Sequence, residues 1–253
     1  MAALVHSASR VAAYQRCPRR YYWRYVVKAP RRLTAEQALG INIHAALEAF
    51  ERAGGRREGG AVALRSALAA TWRTEGFASG EEAHRCRQEA ERRLQRYLED
   101  QQGAAPQGEP LMLEQRLEGT IGRFRVVGVV DRLDRSPDGS LTLIDYKTGR
   151  DDRAGVSLAT LQQLAIYRSL VTQVTSRAPA RVVVTCPGEG DQELALDDTG
   201  WGGHLERAQR VMEAIEADQD FEARVDPSCQ RCEFAGRCVP WQRALAAPGE
   251  TAP

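Results

Sequence analysis

The segment from residue 121 to residue 149 constrains this chain more than any other. Val126, Val127, Val129 and Val130 give a β-branched run over 121–134, and Leu141, Leu143 and Ile144 give a second apolar run over 140–147. Pro137-Asp138-Gly139 lies between them. Two β-prone runs on either side of such a turn signal predict a hairpin. It carries Gly128-Val-Val-Asp131 and Ile144-Asp-Tyr-Lys-Thr-Gly149. Asp145 and Lys147 stand two apart, so in a strand both side chains leave the same face. The hairpin can bring Asp131, at the end of its first strand, beside Asp145. A charged face at the end of a largely apolar strand needs partners.

Two carboxylates with nearby water suit Mg²⁺ or Mn²⁺, hard ions that prefer oxygen ligands. Such an ion polarises a phosphoryl oxygen and makes bound water more nucleophilic. Lys147 could orient or help deprotonate that water and offset developing charge. Alone, Asp-x-Lys is a weak signal, with on the order of one chance match in a chain this long. It reads equally well as a surface strand with a cross-strand ion pair. Glu114, on a strand expected over 111–118, is a candidate further acidic ligand; Glu118 is an equally good surface acid.

The remaining pattern predicts helices over 7–25, 35–53, 60–74 and 79–101, then a Gly/Pro-rich break at 103–110. A helix over 157–175, a strand over 181–186 and a helix over 203–218 follow. The expected fold class is α/β, a mixed central sheet flanked by helices, with a helical N-terminal elaboration. A single domain is expected over 1–245: a helical part (1–105), a catalytic sheet and helix (110–186), and a C-terminal helix with a Cys-rich tail (203–240). Residues 246–253 read as a frayed tail.

The formal net charge of the 253 residues is only +1, which excludes a strong whole-molecule attraction to nucleic acid. Local patches are needed, and Arg16, Arg19, Arg20 and Arg24 supply one. A solvated basic helix face is the plainer reading of that cluster. No secretory h-region and no long apolar stretch is visible, so a cytoplasmic protein without membrane contact is expected. In that compartment six cysteines read as a metal or redox site rather than disulfides.

Cys229, Cys232 and Cys238 form C-x2-C-x5-C, with distant Cys17 as the candidate fourth ligand. Zinc and an iron–sulfur cluster both accept four thiolates, and spacing does not exclude a free CxxC redox pair. Cys86 and Cys186 fit no motif and read as small buried hydrophobes. Around Cys17 runs Arg16-Cys-Pro-Arg-Arg-Tyr-Tyr-Trp-Arg-Tyr25. Basic residues interleaved with aromatics suit single-stranded DNA, through Arg19, Arg20 and Trp23. Alternatively Tyr22, Trp23 and Val26 face the core while the arginines face water. Trp72 poses the same choice. Nothing in the chain reads a base sequence, and no Walker A motor sequence is present.

Four segments, in order, resemble the RecB/AddB branch of the PD-(D/E)XK nuclease superfamily. Gly40-Ile-Asn-Ile-His44 resembles its GxxxH motif, Gly128–Asp131 its GxxD, Asp145–Gly149 its DYKTG, and Gln163-Leu-Ala-Ile-Tyr167 its QxxxY. The resemblance implies a restriction-endonuclease-like core hydrolysing DNA phosphodiesters, as a single-stranded DNA exonuclease in repair, recombination or related processing. His44, Asp131, Asp145 and the Tyr146 backbone carbonyl would hold Mn²⁺ or Mg²⁺, Lys147 would assist the attacking water, and Gln163 and Tyr167 would lie near the DNA backbone. One N-terminal cysteine with a C-terminal C-x2-C-x5-C further resembles the 4Fe–4S staple of AddB-type and CRISPR-associated nucleases. That implies Cys17, Cys229, Cys232 and Cys238 as cluster ligands, and a helicase or CRISPR-associated protein as partner. Two rivals remain open: a non-catalytic Fe–S DNA-binding or scaffold subunit, and a zinc-stapled protein of unrelated function.

Overall fold

The computed structural model describes residues 4–55, 59–101, 108–149 and 156–246. Six strands form one mixed sheet: β1 (Val5–Ser7), β2 (Glu109–Ile121), β3 (Phe124–Arg135), β4 (Leu141–Tyr146), β5 (Arg181–Cys186) and β6 (Gly190–Glu193). β2 pairs antiparallel with β3 along one edge. The other edge of β3 is shared by β1, parallel at Arg125–Val127, and by β4, antiparallel at Arg132–Arg135. β5 runs parallel to β4, and β6 antiparallel to β5.

The helices are α1 (Ala8–Arg16), α2 (Pro18–Tyr21), α3 (Ala35–Arg52), α4 (Gly60–Thr71), α5 (Gly80–Gln101), α6 (Leu158–Thr175), α7 (Asp198–Ala217) and α8 (Val239–Ala246). Local chemistry fixes several starts. Ser7 caps α1 by accepting from the Arg10 N–H at 3.3 Å. Thr34 and Gln37 form a reciprocal capping box on α3. Ser157 and Asp197 cap α6 and α7.

Every residue of β4 is buried, which requires cover on both faces. Leu141 and Leu143 join Leu164, Leu170 and Met212 under α6 and α7. Ile144 and Tyr146 join Ile43, Leu47 and Leu94 under α3 and α5. By strict alternation Asp145 leaves the α6 face, at the end of the Leu141–Leu143 row.

The mixed sheet flanked by helices is as the sequence pattern predicts; several details differ. The helix expected over 7–25 breaks at Cys17, which is extended (φ −166°, ψ 120°). Pro18 follows, and the residue before proline is pushed out of the helical region. Beyond α2 the chain continues as a π-helical turn, Tyr22–Val26. β2 and β3 meet at a tight turn where Gly122 has φ 55°, a left-handed conformation that suits glycine. α7 begins before Gly200, Gly202 and Gly203, residues that disguise its first turns. Most of the 103–110 segment and residues 247–253 of the expected tail lie outside the described residues.

One irregularity matters for function. On β3, Val126 and Val130 face the α6 cluster, yet so does Leu133. On β2, Leu117 and Ile121 face it, and so does Met112. Both strands therefore reverse their alternation together while Leu113↔Arg132 and Gln115↔Val130 stay in register. The step between those pairs is Glu114 opposite Asp131. Glu114 has φ 44°, the left-handed region that a non-glycine residue rarely adopts.

Candidate metal and catalytic site

At this step the hairpin, α3 and α6 converge. His44 on α3 points to the sheet with Nδ1 3.4 Å from Glu114 Oε1 and 3.7 Å from Asp131 Oδ2. Among the described residues, His44, Glu114 and Asp131 form a group whose ligand atoms all lie within 4.8 Å of one another. Asp131 is held by the Tyr146 N–H, which donates to Oδ2 at 2.8 Å. The expected Tyr146 carbonyl belongs to this same stretch of β4, and the Tyr146 ring lies edge-on to the His44 imidazole with centroids 5.9 Å apart.

A second set adjoins it. Lys147 Nζ lies 2.8 Å from Asp145 Oδ2 and donates to Gln163 Oε1 at 3.0 Å. Gln163 returns the contact, its Nε2 donating to Asp145 Oδ1 at 3.0 Å and to the Tyr167 hydroxyl at 3.1 Å. The carboxamide thus spans the cation and the anion of one ion pair. The structure brings His44, Asp131, Asp145, Lys147, Gln163 and Tyr167 together. Gln163, which the resemblance places near the DNA backbone, is hydrogen-bonded to Lys147, Asp145 and Tyr167.

Electrostatics set the protonation. Burial, with the Asp145 charge beside it, pushes the Asp131 carboxyl up to about 7. Burial disfavours the charged form of His44, but the Glu114 hydrogen bond and the charges of Asp131, Glu114 and Asp145 raise its pKa overall. Burial and the same carboxylates hold the Tyr167 phenol well above its ordinary range, so it stays neutral. Excess negative charge gathered in a partly buried pocket is what a divalent cation relieves, and an imidazole with carboxylate oxygens is a suitable donor set.

The motif glycines are explained by contact. A Cβ on Gly128 would come within 2.7 Å of Tyr167 Cε1, and one on Gly40 within 2.6 Å of Thr148 Oγ1. The GxxD glycine therefore seats the tyrosine of QxxxY, and the second turn of α3 sits on the loop after Lys147. Sequence reading missed the residues that brace these pieces. Arg93 on α5 donates to the Thr148 carbonyl at 2.9 Å. Arg52, two turns beyond His44, donates to the Leu113 carbonyl at 3.0 Å. Behind Asp131, Arg132 makes a two-pronged pair with Asp134, at 2.7 and 2.8 Å, and an ion pair with Glu51. No short motif announces these contacts: apart from the Arg132–Asp134 pair within β3, each crosses between elements far apart in sequence.

The four motif cysteines line a second pocket together with Arg16, Arg19, Arg20, Trp23, Phe234 and Trp241. The Arg224 backbone bridges the two chain ends: its N–H approaches Cys17 Sγ at 3.4 Å and its carbonyl lies 3.6 Å from Cys229 Sγ. Arg20 pairs with Glu233 at 2.9 Å, Arg19 donates to the Asp220 carbonyl at 3.3 Å, and Arg237 lies over the Trp23 ring. Arg19, Arg20 and Trp23, the candidate DNA contacts, are thus engaged with the C-terminal tail. Cys86 and Cys186 are partly buried and lie outside this group.

Among the described residues no helix is long and apolar enough to cross a membrane. A search of curated proteins finds no match. Among solved structures, SSO0001 is 17% identical over 93% of this chain and 86% of its own, with a TM-score of 0.43. A protein of Eubacterium rectale provisionally named an exonuclease is 9% identical over 98% of this chain and 91% of its own, with a TM-score of 0.51. The latter shares the fold. The model of the PD-(D/E)XK nuclease superfamily matches residues 5–239, a span that holds both ends of the sheet and every residue of the site above. The chain belongs to the PD-(D/E)XK nuclease superfamily, whose members are metal-dependent nucleases.

Proposed function

We propose that this protein is a divalent-metal-dependent deoxyribonuclease of the RecB/AddB type, acting as an exonuclease on single-stranded DNA without sequence preference. The observation that carries this reading is Lys147, fixed between Asp145 and Gln163 beside the His44–Glu114–Asp131 group. A structural ion pair alone has no use for an adjoining imidazole and two further carboxylates.

His44, Asp131, Asp145 and the Tyr146 carbonyl are the residues to hold Mn²⁺ or Mg²⁺. A bound ion supplies polarisation of a phosphoryl oxygen and a more nucleophilic water. The chain's own part is orientation and charge. Asp145 and Gln163 hold the Lys147 ammonium in one direction, where it can position the attacking water and offset charge on the phosphoryl oxygens. Gln163 in turn is seated by Tyr167, and Tyr167 by Gly128. Positioning of this kind loses much of its value with displacements near 1 Å.

The cysteine pocket supports a 4Fe–4S cluster on Cys17, Cys229, Cys232 and Cys238. All four are free thiols lining one pocket, an arrangement that zinc and a cluster both accept; the resemblance to AddB-type nucleases favours the cluster. The flanking arginines suit its negative charge.

End-labelled single- and double-stranded DNA, incubated with anaerobically purified protein in Mn²⁺, Mg²⁺ or EDTA, tests the function. Metal-dependent release of nucleotides from single-stranded ends is expected. Lys147→Ala and Asp145→Ala should each lower the rate by about a thousandfold or more, in line with loss of a transition-state contact of a few kcal/mol. Binding of DNA without hydrolysis in any metal would favour the scaffold subunit instead.

A further inference from the structure

We propose that Glu114 is a direct ligand of the metal ion, and that β2 is bent at this residue to deliver it. The inference rests on the metal-dependent reading above and goes beyond its ligand set, which contains no residue of β2.

The strand register places Glu114 opposite Asp131, since the pairs on either side are Leu113↔Arg132 and Gln115↔Val130. Directly opposed residues of an antiparallel pair project from the same face. Glu114 is also a non-glycine residue with left-handed backbone (φ 44°) in the middle of a strand. Conformations of that kind persist where the surroundings enforce them, and they concentrate at functional sites. The enforcing contact is present: Arg52 of α3 grips the Leu113 carbonyl at 3.0 Å. One helix thus carries His44 and anchors the strand beside Glu114.

Charge separates Glu114 from its neighbours. Glu118 is exposed and pairs with Arg116 at 2.9 Å. Among the described residues, the ion-pair contact of Glu114 is to His44, and no arginine or lysine lies within 4.0 Å of its carboxylate. Asp145 is already balanced by Lys147 at 2.8 Å. Asp131 and Glu114 are then the two carboxylates left to balance a divalent ion, with His44 as the nitrogen donor between them. Without Glu114 the pocket offers a 2+ charge one uncompensated anion.

The test measures Mn²⁺ binding to the full chain by titration calorimetry, with Glu114→Gln, Glu114→Gly, Glu118→Gln and Asp131→Asn alongside. Thermal melts in EDTA accompany each variant. Glu114→Gln should raise the Mn²⁺ Kd by about ten- to a hundredfold, the scale on which support of a metal site is lost. Glu118→Gln should leave it unchanged. Glu114→Gly should bind as weakly as Glu114→Gln yet melt higher in EDTA, because glycine accepts the left-handed backbone. A Glu114→Gln protein that binds like wild type, while Asp131→Asn fails to bind, overturns the Glu114 assignment and leaves the metal reading intact. Wild-type binding by Asp131→Asn as well overturns the metal reading itself. Weak binding by Glu114→Gln with a lowered melting temperature in EDTA, and normal binding by Glu114→Gly, also overturns the assignment, since the glutamate would then act only through the fold.

Discussion

The acidic site and the cysteine pocket are both gathered from distant parts of the chain, but different things hold them. The acidic site is carved into the sheet. Asp131 and Asp145 ride on paired strands, the Tyr146 N–H fixes Asp131 at 2.8 Å, and Gln163 locks Lys147 and Asp145 from a helix with buried Leu164 and Ile166. Its crowded charge works against the fold. The cysteine pocket lies between α1, α2 and short turns of the tail, tied by Arg20–Glu233, the Arg224 backbone and a few ring contacts. One site is braced by the sheet and its covering helices; the other is held by a few contacts between the two ends of the chain.

That contrast can be broken at several points. The largest effect is expected at the cysteines. Cys17→Ser should lower the melting temperature by about 10 °C or more, as loss of a cluster that binds with several kcal/mol of folding energy would. The Mn²⁺ affinity of the protein that remains folded should change by less than about threefold. Equal losses in melting temperature and Mn²⁺ affinity would show that the two regions are one cooperative unit, and the contrast would fall.

A smaller effect is expected at Gly128. Gly128→Ala forces a methyl to within 2.7 Å of the Tyr167 ring, and overpacking of this kind costs about 1–3 kcal/mol. The ring must move, and with it the hydrogen bond that seats Gln163. Nuclease rate should fall by about tenfold at saturating Mn²⁺, with the Mn²⁺ Kd unchanged. Gly40→Ala meets only the Thr148 hydroxyl, at 2.6 Å, and should do less. An effect of Gly40→Ala larger than that of Gly128→Ala would put the loop after Lys147, rather than α6, in control of the site.

The smallest effect is the dependence on pH. Asp131 titrates near 7 when folded, against 3.8 ordinarily, and His44 is also raised. Both groups then favour the metal-free fold at low pH, and that stability is lost as pH rises through their folded pKa values. Mn²⁺ needs the carboxylate and the neutral imidazole. The rise in melting temperature caused by saturating Mn²⁺ should therefore be larger at pH 8 than at pH 6, by a few degrees. A pH-independent shift would remove Asp131 from the ion's surroundings.

The sequence made the hairpin legible because two valine- and leucine-rich runs flank Pro137-Asp138-Gly139, and α3 because Gly54-Gly55 marks its end. Asp131, Asp145, Lys147, His44, Gln163 and Tyr167 were readable as short patterns, and the structure gathers them. The break at Cys17 was missed, although the proline that follows it is the signal that could have found it. Glu114 was not. Period-two alternation makes residues 114 and 118 equivalent, and a left-handed residue that reverses the alternation leaves no mark in composition. Arg52 and Arg93 were hidden for a different reason: each donates to a main-chain carbonyl, and any residue supplies one. β1 and β6, at three and four residues, are too short to display a period.

The bridge from Arg224 to Cys17 joins residues 207 apart in sequence. Closing so large a loop is slow, because chain entropy is spent before the contact returns anything. The hairpin, by contrast, forms from neighbours. In refolding, the acidic pocket should therefore appear first, and the ends should be fastened last. A chain halted between these events would already own its charged centre while its first and last segments still hung free. On the proposed cluster reading, supply of iron and sulfide would govern when maturation ends, with proteolysis of those free segments as the competing fate.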